Sequence, residues 1–214
     1  MSDAARYTWV EEDDLLSAAC FTAVTGVAGA EAVRRFGADP GTARTATFAG
    51  SFNELTGSTP LVYDELDGGV LVTENNGWQG SRTEVLEAVS RGGTAASVYW
   101  SVNADMSFLY VVDGVVVAWF DPLLVEHAWS GSDPESVRRQ TANLPFGLDG
   151  PRSASLALVE RLTGIHLERR WLERPHRCVD VPDSEQVALP TVEGYRSFVR
   201  QALRAWWRDL RGRR

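Results

Sequence analysis

Two periodicities alternate along this chain, and the places where one gives way to the other mark its elements. Residues 9–16 pair apolar positions at helical spacing with acids in the first turn, which predicts a short helix favoured by its own dipole. Residues 20–25 read as a strand stopped by Gly26. Residues 30–36 return to helical spacing and end at Gly37, a residue suited to the left-handed turn that follows many helices. Residues 61–66 and 70–74 form a predicted hairpin around Asp67-Gly68-Gly69. The Asn76-Gly77 pair then turns the chain out of the second strand, and Ser81-Arg82-Thr83-Glu84 has the spacing of a capping box for a helix reaching about Arg91. Residues 95–103, 106–112 and 115–120 are three strands in succession, with Asp113-Gly114 as a tight turn between the last two. Such a meander is antiparallel, because parallel pairing would need a long crossover.

Beyond the meander, helical patterns start at Ser132-Asp133-Pro134-Glu135 and cover residues 153–162, closed by Gly164. Residues 174–190 contain Pro175, Pro182 and Pro190 and read as a linker or extended arm. A last amphipathic helix is expected over residues 192–210. Tyr195, Phe198, Val199, Leu203 and Trp206 share one face, while Arg196, Arg200, Arg204 and Arg208 step by four along another, with Trp207 at the border. These patterns predict an α+β fold: a mainly antiparallel sheet of five or six strands with helices on one face. The expected organisation is a domain over residues 1–173, a proline-containing segment over 174–190, and an arginine-rich C-terminal helix over 191–214 that packs on the domain or on a partner.

Composition narrows the chemistry. The chain has no lysine, so all 21 of its basic side chains are arginine. Schiff-base and pyridoxal-phosphate catalysis are therefore excluded, as is a Walker-type phosphate loop. A chain of 214 residues with eight tryptophans can build a core without metal or disulfide. The two cysteines, Cys20 and Cys178, are expected as reduced thiols in a cytoplasmic protein. The longest uncharged run, residues 15–30, follows an acidic cluster and is too short for a membrane span.

The net charge of −8 conceals a division. Residues 1–160 carry 9 arginines against 22 acids, whereas residues 161–214 carry 12 against 7. That split points to a basic tail that docks on its own acidic body or on a protein partner with an acidic surface. Nucleic acid and membrane are disfavoured as partners, since binders of bulk anionic surfaces are usually basic overall.

The densest polar and aromatic cluster is the loop over residues 74–81. Glu74, Asn75, Asn76, Trp78 and Gln79 are the candidate ligand- or partner-binding residues there, with Gly77 and Gly80 able to admit close backbone approach. Asn103 joins them if the sheet brings it near, and Asp121 is weighed beside it as a turn residue. Turn chemistry and core filling by Trp78 account for the same loop without any ligand. His127, His166 and His176 have no zinc-site spacing, and His176 with Cys178 supplies too few ligands. No Gly-x-Ser-x-Gly elbow or Gly-x-Gly-x-x-Gly loop occurs, so no catalytic residue, metal or cofactor is assigned.

Several short motifs recur together: Cys20-Phe21-Thr22 before Gly26, the Glu74–Ser81 loop, Val98-Tyr99-Trp100-Ser101-Val102-Asn103, Phe120-Asp121-Pro122, and Leu162-Thr163-Gly164-Ile165. As a set they resemble an uncharacterised, mostly actinobacterial domain-of-unknown-function family over roughly residues 9–170. The resemblance implies a fold unit and no activity. The reading that emerges is a non-catalytic cytoplasmic protein-interaction module, of the accessory or immunity type found in bacterial conflict systems. The alternatives are a ligand-binding protein or enzyme using the 74–81 loop, and an anionic-surface or nucleic-acid binder using the C-terminal arginines.

Overall fold

The computed structural model describes residues 3–52 and 58–182. Among these residues, nine strands form one antiparallel sheet: β1 (Ala19–Thr25), β2 (Arg44–Ala46), β3 (Ser58–Leu66), β4 (Gly69–Asn75), β5 (Thr94–Trp100), β6 (Met106–Val112), β7 (Val115–Phe120), β8 (Trp129–Ser130) and β9 (His176–Pro182). Their spatial order is β2-β9-β3-β4-β1-β5-β6-β7-β8. The fold is α+β, with three strands more than the upper expectation of six. The additional strands, β2, β8 and β9, lie towards the two margins of the sheet. Residues 176–182, expected as linker or arm, are the strand β9, which pairs with β2 on one side and β3 on the other. Residues 183–190 of that segment lie outside the described residues. So does the expected C-terminal helix with Arg196, Arg200, Arg204, Trp207 and Arg208.

The α-helices are α1 (Trp9–Glu12), α2 (Gly29–Arg35), α3 (Phe48–Ser51), α4 (Thr83–Val89), α5 (Pro134–Arg138), α6 (Pro151–Thr163) and α7 (Arg169–Glu173). They cover both faces of the sheet rather than one. On the first face, Phe21, Val98, Phe108 and Phe120 pack with Phe48 of α3, Leu158 of α6 and Leu172 of α7. On the second, Val24, Val70, Val72 and Val111 pack with Val33 of α2 and Leu86 of α4. The reason is visible in β1, where six consecutive residues are buried: a strand without polar alternation needs cover on both sides. Among the described residues, no helix is long and apolar enough to cross a membrane.

The predicted turns close the expected strand pairs. Asp113 and Gly114 both take positive φ, 46° and 78°, as a two-residue turn between twisted strands requires. The capping box at Ser81 does not form. Residues 79–81 make a 3-10 turn instead, Arg82 is the N-cap of α4, and the Ser81 hydroxyl donates to the Trp78 carbonyl at 2.8 Å. The two thiols sit on opposite faces. Cys178 belongs to the core of the first face, whereas Cys20 lies opposite Glu74 on the α2–α4 side, so both are free.

Candidate functional site

The period-2 rule that places Val70 and Val72 against α2 and α4 places Glu74 on the same face. Glu74 is only 1% exposed, and it is the one acidic or basic residue in the buried class among the described residues. A carboxylate in such a position needs hydrogen bonds to replace water. Its Oε2 accepts from the Gln79 amide at 2.7 Å and its Oε1 from the Gly80 amide at 2.8 Å. The loop thus folds back over the end of the sheet because the carboxylate at its first residue gathers amides five and six residues later.

Beneath the loop lies a polar layer contributed by two strands, β1 and β5. Thr22 Oγ1 and Ser97 Oγ are 2.8 Å apart, and Cys20 Sγ is 3.4 Å from Ser97 Oγ. Gly80 seats directly on this layer. A Cβ at that position would stand 2.3 Å from Thr22 Oγ1, 2.8 Å from Cys20 Sγ and 2.9 Å from Ser97 Oγ. At Gly77 a Cβ would stand 2.6 Å from Glu74 Oε2 and 2.8 Å from Thr59 Cγ2. Both glycines are therefore required for contact between backbone and sheet, and neither leaves room for a ligand against its Cα.

Electrostatics follow from this enclosure. Burial, only partly offset by the two amides and the Cys20 thiol, pushes the Glu74 carboxyl up to about 7. Burial and the neighbouring Glu74 charge hold the Cys20 thiol well above its usual range, so the reactive thiolate is disfavoured.

The other candidates are placed as follows. The Asn75 side-chain amide donates to the Phe48 carbonyl at 3.2 Å, tying the loop to α3. Asn76 takes a left-handed φ of 57°, and its amide donates to the Ala18 carbonyl at 3.0 Å. Gln79 is buried, and its Oε1 accepts from Arg82 at 3.0 Å. Trp78 does not fill the core. It is 38% exposed, with the Arg82 guanidinium carbon 5.6 Å from its ring centroid. Arg82 also donates to Glu84 through Nε and Nη2. Asn103 is exposed in the turn after β5, where its amide donates to Ser101 Oγ at 3.1 Å. It shares the loop's end of the sheet, since β5 and β4 flank β1 with Trp100 and Asn75 both opposite Ala19. Asp121 caps the next turn by accepting from the Leu123 amide at 2.8 Å, and burial raises its carboxyl.

The histidines stand apart from this loop and from one another. His127 is exposed. His166 Nδ1 lies 2.8 Å from the Tyr7 hydroxyl, which donates to Glu160 Oε2 at 2.8 Å. Burial first, then the bond to Glu160, raises the Tyr7 phenol far above its ordinary value, which makes it a tie between the N-terminal turn and α6 and not an acid or base. His176 has Nδ1 3.0 Å from Asp64 Oδ2 and Nε2 2.9 Å from the Trp171 carbonyl, with its ring stacked on Trp171 at 4.0 Å. Among the described residues no three His, Cys, Asp or Glu side chains are grouped to hold a metal ion.

Sequence reasoning selected Glu74 for its loop and missed Cys20, Thr22 and Ser97 as its neighbours, along with Arg82 beside Trp78. The signal was present for the first three. Cys20, Thr22 and Val24 alternate onto one face of β1, and a polar pair there implies a polar lid.

Residues 1–186 match the model of a family of unknown function, DUF6461. No curated protein and no solved structure matches the chain.

Proposed function

The chain belongs to that family of unknown function, DUF6461, and we propose that it serves as a non-catalytic protein-interaction module, bacterial and cytoplasmic, with an accessory or immunity-type role. The observation that carries this reading is the direction in which the 74–81 loop spends its groups. Glu74, Asn75 and Gln79 bond inward or to the loop's own flank, while Trp78 faces outward against Arg82. Tryptophan and arginine are the side chains most enriched among the residues that dominate protein–protein binding.

The charge division supports the same reading and indicates the partner's chemistry. Twelve arginines in residues 161–214 suit a protein with an acidic surface, through paired arginine–carboxylate bonds. The test is affinity purification of the full chain from the cells that make it, beside a variant carrying Arg200→Glu, Arg204→Glu and Arg208→Glu. The native chain is expected to retain a partner that the triple variant recovers at least tenfold less. Equal recovery by both chains would remove the arginine tail from the interaction, and no recovery by the native chain would overturn the reading.

A further inference from the structure

Four large apolar side chains exposed among the described residues, Leu15, Trp78, Val102 and Leu124, stand at one end of the sheet. Strand pairing places them there. Ala19 is opposite both Asn75 and Trp100, so the chain before β1, the loop after β4 and the turn after β5 meet at that end. Trp100 pairs with Met106 and Phe108 with Phe120, which brings the turn after β7 to the same end. The Trp100 indole donates to the Leu16 carbonyl at 2.7 Å, fixing Leu15 beside the end of β5. Val102 is the most open of the four, at 70%. Apolar residues scattered singly over a surface need no explanation, but a group gathered at one end of a sheet marks a place to be covered. The chain leaves the described residues at this same end. Pro182 of β9 pairs with Ser58 of β3, and Thr59 lies against Gly77, one residue before Trp78.

The sequence that follows has a face to match. Tyr195, Phe198, Val199, Leu203 and Trp206 share one side of the helix expected over residues 192–210. Such a helix needs an apolar surface to pack on, because propensity alone seldom holds an isolated helix together in water. The lengths agree. Residues 183–191, when extended, reach about 30 Å. A helix over residues 192–210 is about 28 Å long. From β9 to β7 there are six strand spacings, about 29 Å. The charges agree as well. Residues 191–214 carry seven arginines and two acids, while Asp14 and Asp105 are exposed at this end of the sheet and Arg82 is already paired to Glu84. We infer that residues 192–210 dock in cis as a helix across this end of the sheet, apolar face on Leu15, Val102 and Leu124, with Trp78 at the margin nearest Pro182. Arg196, Arg200, Arg204 and Arg208 then line the flank and outer side of the docked helix, at the same end of the molecule as Arg82. The inference rests on the proposed interaction and deepens it, by joining Trp78 and the arginine tail into one surface for an acidic partner. Its test uses the isolated chain, so it can fail while the affinity purification succeeds, and the reverse.

The experiment is paramagnetic broadening of amide signals in the full chain, with a nitroxide attached through Gln201→Cys, a position on the side opposite the apolar face. Cys20 and Cys178 are buried, so the label reacts at the introduced thiol. The amide signals of Leu15, Val102 and Asn103 should be lost, while those of Gly68 and Val115, at the other end of the sheet, persist. Phe198→Glu combined with Leu203→Glu should restore the lost signals. The unmoved signals of Gly68 and Val115 then show that the domain is still folded. Signals retained at Leu15, Val102 and Asn103 in the labelled native background would overturn the inference. So would equal losses at both ends, or losses that survive the double substitution. A mixture separates cis from trans: a nitroxide-bearing chain without isotope should leave an isotope-enriched chain without nitroxide unbroadened. Broadening of Leu15 and Val102 in that mixture would mean that a second copy is the occupant, and docking in cis would be overturned.

Discussion

Gly80 illustrates how strongly a single residue is specified here. Its Cα rests against a hydroxyl, a thiol and a second hydroxyl from two different strands, and its amide is one of the two that satisfy Glu74. Replacing its hydrogen with a methyl group would force the loop off the sheet and withdraw that amide. Gly80→Ala should destabilise the protein by about 2–4 kcal/mol, as overpacking and a weakened buried carboxylate bond combine. Urea unfolding of the full chain checks this, and a change below about 0.5 kcal/mol would contradict the contact. The same residues show what the sequence could reveal. Spacing put Glu74 at the end of a strand whose alternate positions are valines, so its burial was legible once Val70 and Val72 were assigned to a core. The roles of Asn75 and Asn76 were only partly legible. An Asn-Asn-Gly turn is plain from composition, but the acceptor on Phe48 is 27 positions away and enters through tertiary packing.

At the level of elements, the central strands were legible and the margins were not. β3 to β7 follow from alternation and from Asp-Gly and Gly-Gly turns. β8 has two residues and β2 three, too few to show a period. β9 carries His176, Arg177 and Asp180 and ends at Pro182, a composition that reads as an arm. It becomes a strand because Val179 and Val181 find the α2–α4 core while Cys178 finds the opposite one. Helices on both faces were foreshadowed by β1, whose uninterrupted burial matches a strand covered twice. The capping box failed for a local reason: the two Glu74-bound amides draw residues 79–81 into a 3-10 turn and delay the start of α4.

The importance of β9 can be measured by shortening the chain. A protein ending at residue 186 keeps β9 and the whole of the matched family region, and it should unfold cooperatively with a midpoint close to that of the full chain. One ending at residue 175 loses the partner of both β2 and β3, exposing a nine-residue strand as an unprotected edge. It should aggregate or fail to show cooperative unfolding by circular dichroism. A cooperative transition in the shorter chain would mean that β9 is an appendage and not part of the sheet's foundation.

At the scale of the molecule, buried titratable groups among the described residues are held by burial or by bonds to their neighbours. The Cys20 thiol is held in its protonated form, the Tyr7 phenol is tied between the N-terminal turn and α6, and His176 is bonded at both ring nitrogens. Outward, the sequence is acidic over most of its length and basic at its end, and the 74–81 loop offers Trp78 with Arg82 beside it. In the proposed interaction, charge of that kind would set association rate and partner choice, while an aromatic anchor would set how long the complex lasts.

The central claim is that Trp78 is a contact residue and not a support for the fold. It is tested most directly by measuring the affinity of Trp78→Ala for the partner retained by the native chain, alongside its thermal midpoint. Because Trp78 is substantially exposed, the midpoint should move by no more than a few degrees. The dissociation constant should rise at least about tenfold, as expected for loss of an aromatic anchor. A variant that binds the partner as tightly as the native chain would contradict the account.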